Sequence, residues 1–244
     1  MNTKKISIII PTLNEEKLIA QTLKQFDCDI KKKFALEIIV SDGGSTDTTL
    51  EIARSYADKI ITHNETSKQN IARGRNRGAT VSNGNVLVFL NADTLLSDVE
   101  SFFSNIMIEI NKDHIAAIAY PVKVFKNEEI KSDKVFHFFY NNYVRFLNKF
   151  FMGMGRGECH VINRNSFLVT GGYNENLTAG EDFELYKRMK RLGKILFLKK
   201  CIIYESPRRY RKFGYRKVFW DWTRNSFAIT LFGKSISKNW EEVR

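Results

Sequence analysis

The chain has 244 residues, 43% of them hydrophobic, and a formal charge of +12. That length suits one large α/β domain or two small ones, and the apolar share excludes general disorder. The basic balance points to a polyanionic partner (nucleic acid, acidic lipid head groups or a phosphorylated substrate) without choosing among them. The segment ISIIIPT (6–12) reads as a buried strand, β-branched and stopped by Pro11. NEEKLIAQTLKQF follows with apolar residues at Leu18, Ile19, Leu23 and Phe26, a helical spacing with Asn14 as its predicted N-cap. ALEIIVSDGG is a second strand ending in a polar turn, and STDTTLEIARSYA a second helix capped by Ser45 or Thr46. KIITH, NIARGRNRGATVS and NVLVFLNADT continue the alternation as strand, helix and strand.

Strand and helix alternating at this spacing predict a parallel sheet with crossover helices. Ligands of such sheets bind outside the carboxyl ends of the strands. The polar residues after successive strands (Thr12, Asn14 and Glu15; Asp42; Asn91 and Asp93) therefore fall on one edge.

The second half reads differently. HIAAIAYPVKVF is one or two strands. KVFHFFYNNYVRFLNKFFMG is strongly aromatic, with apolar residues at Phe136, Phe139, Tyr140, Tyr143, Phe146 and Phe150. GRGECHVINRNSFLVTGGYNE carries a strand, a short helix and a Gly-Gly turn, and EDFELYKRMKRLG is a helix with Gly193 as C-cap. KILFL and CIIYE are short strands. From Tyr210 the tail is basic, aromatic and predicted helical. The three cysteines, Cys28, Cys159 and Cys201, lack CxxC spacing and do not suggest a disulfide framework. With no signal-type segment after Met1 and no run of about 18 apolar residues, a cytoplasmic chain without a transmembrane helix is expected.

Asp93 ends an apolar strand, where a carboxylate can bind Mg²⁺ or Mn²⁺ beside a diphosphate or cap a following helix. Asp42 can hydrogen-bond a base or ribose, or stabilise the Gly43–Gly44 turn. The pair Glu181–Asp182 can supply a general base or favour a helix N-terminus electrostatically. Arg208 and Arg209 can hold a diphosphate by charge-assisted hydrogen bonds, or form a solvated basic loop. Glu158, Cys159 and His160 stand together but lack further ligands at metal-site spacing.

IIIPTLNEE (8–16), VSDGGSTDTT (40–49), GRNRGA (74–79), LNADT (90–94), TGGYNE (170–175) and AGEDFELYKRMKRLGK (179–194) together resemble family-2 glycosyltransferases of the GT-A type. The resemblance spans about residues 5–210. It implies a three-layer α/β/α sandwich with a mostly parallel central sheet, and an inverting transfer from a nucleotide-sugar, UDP- or GDP-linked. It implies that Pro11, Thr12 and Glu15 line the nucleotide pocket, that Asp42 contacts the base or ribose, and that Arg75, rather than Arg73, reaches the nucleotide side. The family's metal signature falls on Asn91, Ala92 and Asp93, with Asn in place of the first acidic residue, so Asp93 is the expected protein ligand of Mg²⁺ or Mn²⁺. Asp182 is the expected base, with Glu181 the near alternative; Glu158 and His160 are expected near the acceptor. Arg208 and Arg209 stand where the family has an RRW-like segment, without the QxxRW pattern of processive synthases.

On this reading residues 1–210 form one catalytic domain, with a nucleotide-sugar half (1–95) and an acceptor half (96–210), followed by a basic aromatic tail (211–244). Aromatic and basic residues mixed along 135–151 and the tail suit an anionic membrane interface, and imply a lipid-linked or membrane-surface acceptor at the inner face of the cell membrane. Packing onto the chain's own core, or a homodimer, would cover the same residues. A nucleotidyltransferase would carry a glycine-rich loop where PTLNEEK stands. A nucleic-acid or polyanion binder would not gather carboxylates at its ligand edge, so no nucleic acid is expected.

Overall fold

Apolar, largely β-branched runs build the central sheet of the computed structural model, which describes residues 5–63, 69–112, 114–237 and 243. The chain runs β1 (Ile6–Thr12), α1 (Ile19–Lys24), α2 (Cys28–Lys33), β2 (Leu36–Asp42), α3 (Thr49–Arg54), β3 (Lys59–Thr62), α4 (Ile71–Thr80) and β4 (Val86–Leu90). It continues through β5 (Thr94–Leu96), α5 (Val99–Glu109), β6 (Ile115–Ala119), β7 (Val122–Val124), α6 (Lys131–Phe150), β8 (Cys159–Asn163) and α7 (Arg164–Val169). The last elements are α8 (Glu181–Leu192), β9 (Lys194–Phe197), β10 (Ile203–Glu205), α9 (Arg208–Phe213) and α10 (Tyr215–Phe232).

Seven strands form one sheet in the order β3-β2-β1-β4-β8-β6-β9. Only β8 runs against its neighbours; the other pairings are parallel. Alternation along β1 explains why both faces are covered. Ile6, Ile8 and Ile10 point into one core with Leu23 of α1, Ala53 of α3 and Phe102 of α5. Ile9 points into the other with Ala72 of α4 and Tyr186 of α8. The sheet therefore has helices on both faces, the three-layer arrangement expected of buried parallel strands. A second, three-stranded sheet, β5-β10-β7, joins segments about a hundred residues apart.

Several local expectations are corrected. The first helix begins at Ile19, not beside Asn14, and its N-cap is Leu18. Asn14 takes a left-handed φ of 53°, and its side-chain oxygen accepts the Thr46 N–H at 2.8 Å. Neither Ser45 nor Thr46 caps α3; the N-cap is Thr48, while the Asp47 carboxylate accepts the Thr49 N–H at 3.0 Å. Asp27 caps the short α2, which was not anticipated, by accepting from Asp29 and Ile30. No described helix is long and apolar enough to cross a membrane.

At the amino edge of the strands, Glu37 of β2 is 4% exposed. Its carboxylate accepts hydrogen bonds from Ser7 Oγ at 2.7 Å and from the Asn83 backbone and side chain, each at 2.9 Å, and pairs with Lys59 Nζ at 2.7 Å. Burial pushes this carboxyl up, but Lys59, Asn83 and Ser7 together outweigh it and hold it at about 2. A carboxyl depressed on folding stabilises the native state above its unfolded value, and that contribution fades as pH falls through the folded value. Glu37→Gln should therefore cost about 2 kcal/mol at pH 7. Denaturant titrations of both proteins should show the gap closing as pH drops from about 4.5 toward about 2.

Candidate active site

Because β1, β2 and β4 are parallel, their carboxyl ends share one edge. Thr12, Asp42 and the turn Asn91–Ala92–Asp93 lie there. The antiparallel pairing of β8 with β4 sets Leu90 opposite Cys159, which delivers Glu158 to the same edge. The small sheet sets Thr94 of β5 opposite Glu205 of β10. The chain leaving β10 therefore passes beside the residue preceding β5, and Arg208 meets Asp93. Helix α8 starts at the edge from Gly180, whose left-handed φ of 79° suits glycine. A β-carbon there would also stand 2.6 Å from Ile229 Cδ1 of α10. These segments enclose a cleft of about 560 Å³.

Three arginine–carboxylate groups organise the cleft. Arg208 forks onto Glu15, with Nη1–Oε2 at 2.9 Å and Nη2–Oε1 at 2.7 Å, and Nη2 also reaches Asp93 Oδ2 at 3.1 Å. Burial pushes the Asp93 carboxyl up to about 6; the charge of Arg208 opposes this, and those of Glu15 and Glu158 add to it. Asp93 does not cap a helix, since the N-cap of α5 is Asp98.

In the second group Arg156, 5% exposed, pairs with Glu205 at 3.0 Å and Glu158 at 3.4 Å. Tyr210 donates to Glu205 Oε1 at 2.8 Å. Burial and the neighbouring Glu158 push the Glu205 carboxyl well up, whereas Glu158, although buried, is held down chiefly by Arg156. Glu158 Oε2 is buried with no hydrogen-bond partner.

In the third group Arg75 of α4 is 1% exposed. It donates to Glu181 at 2.8 Å, Asn91 at 3.1 Å and the Gly157 carbonyl at 2.6 Å, with its guanidinium 5.2 Å from the Tyr173 ring centroid. Asp182 follows Glu181 in the first turn of α8, where the helix dipole favours a carboxylate. Burial and the Glu181 charge push the Asp182 carboxyl up to about 7; the Phe183 N–H and Arg75 oppose the shift, and Glu158 adds to it.

Of the residues expected from sequence, Pro11, Thr12, Glu15, Arg75, Asn91, Ala92 and Asp93 line the cleft. So do Glu158, Glu181, Asp182, Arg208, Arg209 and the less favoured Arg73. Three do not. Asp42 is 1% exposed; its Oδ2 accepts the Gly44 and Ser45 N–H groups at 2.8 and 2.9 Å, and its Oδ1 the hydroxyls of Thr12 and Ser45. Its oxygens stabilise the turn, the second of the two uses open to it. Asn14 clamps the loop after β1 to that turn, its N–H donating to Ser45 Oγ at 2.8 Å. His160 is fully buried: the alternation of β8 sends it inward, where Nδ1 lies 2.6 Å from the Tyr173 hydroxyl.

Sequence reasoning missed Arg156, Glu205, Tyr140 of α6 and Trp222 of α10, all of which line the cleft. The GRGE segment held a signal for Arg156, a charged residue between two glycines, but nothing local pairs it with Glu205. Among the described residues no group of three or more His, Cys, Asp and Glu side chains could hold a metal ion.

The sequence model of glycosyl transferase family 2 matches residues 7–167. Validoxylamine A glucosyltransferase from Streptomyces hygroscopicus subsp. limoneus is 34% identical over 93 residues, 37% of this chain and 20% of that protein. A PGL/p-HBAD biosynthesis glycosyltransferase from Mycobacterium bovis (strain BCG / Pasteur 1173P2) is 35% identical over 105 residues, 41% of this chain and 40% of that protein. The chain thus spans between a fifth and two fifths of these relatives. Among solved structures, the mannosyltransferase PcManGT of Pyrobaculum calidifontis, in complex with GDP-Man and Mn²⁺, superposes with a TM-score of 0.72 at 18% identity, covering 95% of this chain and 65% of that one. Glucosyl-3-phosphoglycerate synthase of Mycobacterium tuberculosis, in complex with Mn²⁺, UDP and glucosyl-3-phosphoglycerate, superposes at 0.62 and 16% identity, covering 96% and 82%. The fold is of the GT-A type that these structures share, and with the family pattern running from β1 through α7, the chain belongs to glycosyl transferase family 2.

Proposed function

We propose that this cleft transfers a sugar from a UDP- or GDP-linked donor to an acceptor hydroxyl by a single displacement that inverts the anomeric centre. The observation that carries the reading is one cleft with two unlike carboxyl ends. Asp93 lies beside Arg208 at one, and Asp182 beside the Arg75–Glu181 pair at the other. Family membership supports the chemistry, and the two neighbours crystallised with a nucleotide or nucleotide-sugar and Mn²⁺ support the donor class.

The residues fit a divalent cation although Asn91 leaves one acidic ligand in the 91–93 turn. Mg²⁺ and Mn²⁺ take hard oxygen donors and are commonly held by one or two carboxylates together with substrate phosphates. Asp93 would be the main ligand. Glu158, which pairs with Arg156 through one oxygen and buries the other without a hydrogen-bond partner, adds negative charge near Asp93. When bound, the cation supplies Lewis-acid stabilisation of charge on the leaving diphosphate.

The chain's own groups do the rest. Arg208 and Arg209 stabilise the leaving diphosphate by charge-assisted bonds; Arg208 exchanges its carboxylate partners to do so. Asp182 accepts the proton of the acceptor hydroxyl as its oxygen bonds to the anomeric carbon and the carbon–diphosphate bond breaks. Glu181 is committed to Arg75 at 2.8 Å, which leaves Asp182 as the base. A carboxyl at about 7 is matched to proton transfer near neutral pH. Tyr140 and Trp222 wall the cleft and suit an acceptor that is lipid-linked or held at a membrane surface.

The donor reading is tested by thermal shift with UDP, GDP, CDP and dTDP, each with Mn²⁺, Mg²⁺ or a chelator. One uridine or guanosine diphosphate should raise the midpoint only with metal, the shift corresponding to about 3 kcal/mol of stabilisation at a hundredfold excess over Kd. Asp93→Asn should remove the metal-dependent part. No nucleotide effect in any arm would end the transferase reading.

The base assignment makes a signed pH prediction. The groups facing Asp182 are Glu181 on its own helix, Arg75 from α4, Glu158 beside β8, and Tyr140 and Tyr173. With the carboxylate as the active form, kcat/KM should rise with pH through about 7. Asp182→Asn should lower kcat by roughly 10²–10⁴-fold and erase that limb while sparing nucleotide binding. A carboxyl raised on folding loses its stabilising contribution as pH climbs through the folded value, so the Asn variant should also melt higher than the parent at pH 8. Full activity in this variant would remove Asp182 from the mechanism.

A further inference from the structure

Helices α6 and α10 each carry some of their aromatic residues on the side away from the core. On α6 the buried positions are Asp133, His137, Tyr140, Val144 and Asn148. At 100° per residue the opposite stripe holds Phe139, Tyr143, Phe146 and Phe150, between 48% and 67% exposed. On α10 the outward residues are Trp220, Phe227 and Leu231, between 57% and 65% exposed. The two helices meet through inner aromatic side chains, with Tyr140 and Trp222 rings 5.4 Å apart and Phe136 and Tyr215 rings 4.6 Å apart. Isolated exposed apolar residues are ordinary, whereas a continuous patch marks an interaction surface.

The charges beside these stripes identify the partner. Lys131, Arg145 and Lys149 are exposed along one flank of the α6 stripe, and Arg216 and Arg224 border the α10 residues. The acidic residue of α6, Asp133, is fully buried and taken by Arg211; that of α10, Asp221, is paired with Lys217 at 2.8 Å. A second copy meeting this face across a two-fold axis would set like charges against each other with no acid to pair them. An anionic lipid surface offers both an apolar layer for the rings and negative head groups for the cations.

We propose that the outer faces of α6 and α10 form one docking surface for an anionic lipid bilayer, and that the acceptor is a hydroxyl carried by a lipid in that bilayer. The second clause rests on the transferase reading. It follows from the inner faces of the same helices, where Tyr140, Trp222 and Asn225 line the cleft: a surface that docks these helices brings the acceptor end of the cleft to the head-group layer.

The experiment is co-sedimentation of the full chain with vesicles of phosphatidylcholine alone or mixed with phosphatidylglycerol. Binding is expected to the mixed vesicles and to fall at least about tenfold between about 50 and 500 mM salt. The combined variant Phe139→Ser, Phe146→Ser, Trp220→Ser, Phe227→Ser should lose at least about tenfold in binding while keeping its melting temperature and its nucleotide-dependent shift. Arg145→Glu with Lys149→Glu should weaken binding at low salt and flatten its salt dependence. No binding to the mixed vesicles, or equal binding by the four-site variant, overturns the proposal. So does a dimer in sedimentation velocity that the four-site variant dissociates without any vesicle binding, which would make the face an interface between copies. The nucleotide shift measured without vesicles separates the two readings: its loss alongside intact vesicle binding removes the transferase and the lipid acceptor but leaves the surface.

Discussion

One buried guanidinium ties the two halves of the chain together at the functional edge. Arg75 comes from a helix of the first βα units; its partners are Glu181 at the start of α8, Asn91 after β4 and the Gly157 carbonyl before β8. An arginine 1% exposed cannot shed its charge, so each partner must hold its position or leave a buried cation unpaired at a cost of several kcal/mol. The loop around Gly157, the 91–93 turn and the first turn of α8 are thereby held in one arrangement. Those three segments carry Glu158, Asp93 and Asp182.

The same constraint recurs along the cleft. Arg156 is shared by Glu158 and Glu205, and Arg208 by Glu15 and Asp93. Buried ion pairs are weak sources of stability, because desolvation cancels much of the attraction. What they supply here is an ordered polar wall. Among the described residues seven carboxyl groups and five arginines line the cleft, so the chain's +12 is not concentrated there. The basic excess lies elsewhere, part of it along the outer flanks of α6 and α10. Carboxyl groups interleaved with arginines suit a cation accompanied by phosphates better than a bare phosphate backbone.

How much of this was legible follows from how local each determinant is. The buried strands announce themselves as apolar runs, and a parallel sheet has one carboxyl edge, so Thr12, Glu15 and Asp93 were found from order alone. Asp42 and Asn14 sit at the same edge and still miss the cleft. Short polar side chains in tight turns are drawn first to nearby N–H groups, and both are consumed that way. His160 lies two residues beyond Glu158, inside β8, where both faces of the sheet are covered and its ring is buried in the core. The pairing of Arg156 with Glu205 was out of reach, because it depends on a small sheet assembled from distant segments. In α6 the sequence showed one aromatic segment with apolar residues at Phe136, Phe139, Tyr140, Tyr143, Phe146 and Phe150, but not which helix face, the aromatic or the mixed one, meets the protein. The mixed stripe does, because Arg156 and Arg211 need His137 and Asp133 beside them.

Arg208 is where organisation and chemistry meet. It is the guanidinium shared by Glu15 and Asp93, and it is only 24% exposed. An anion that draws Arg208 toward itself leaves those carboxylates short of a cation, which favours a metal ion at Asp93. A metal ion at Asp93, as proposed, would likewise weaken the hold on Arg208 and free it for an anion. On the proposed function the two equilibria would therefore be coupled, and coupling free energies are reciprocal. A cation and an anion that arrive together, as a metal does with a nucleoside diphosphate, satisfy both at once. When the pair leaves, Arg208 can return to its carboxylates, so a half-buried cation and its acidic partners need not stay unpaired in either state.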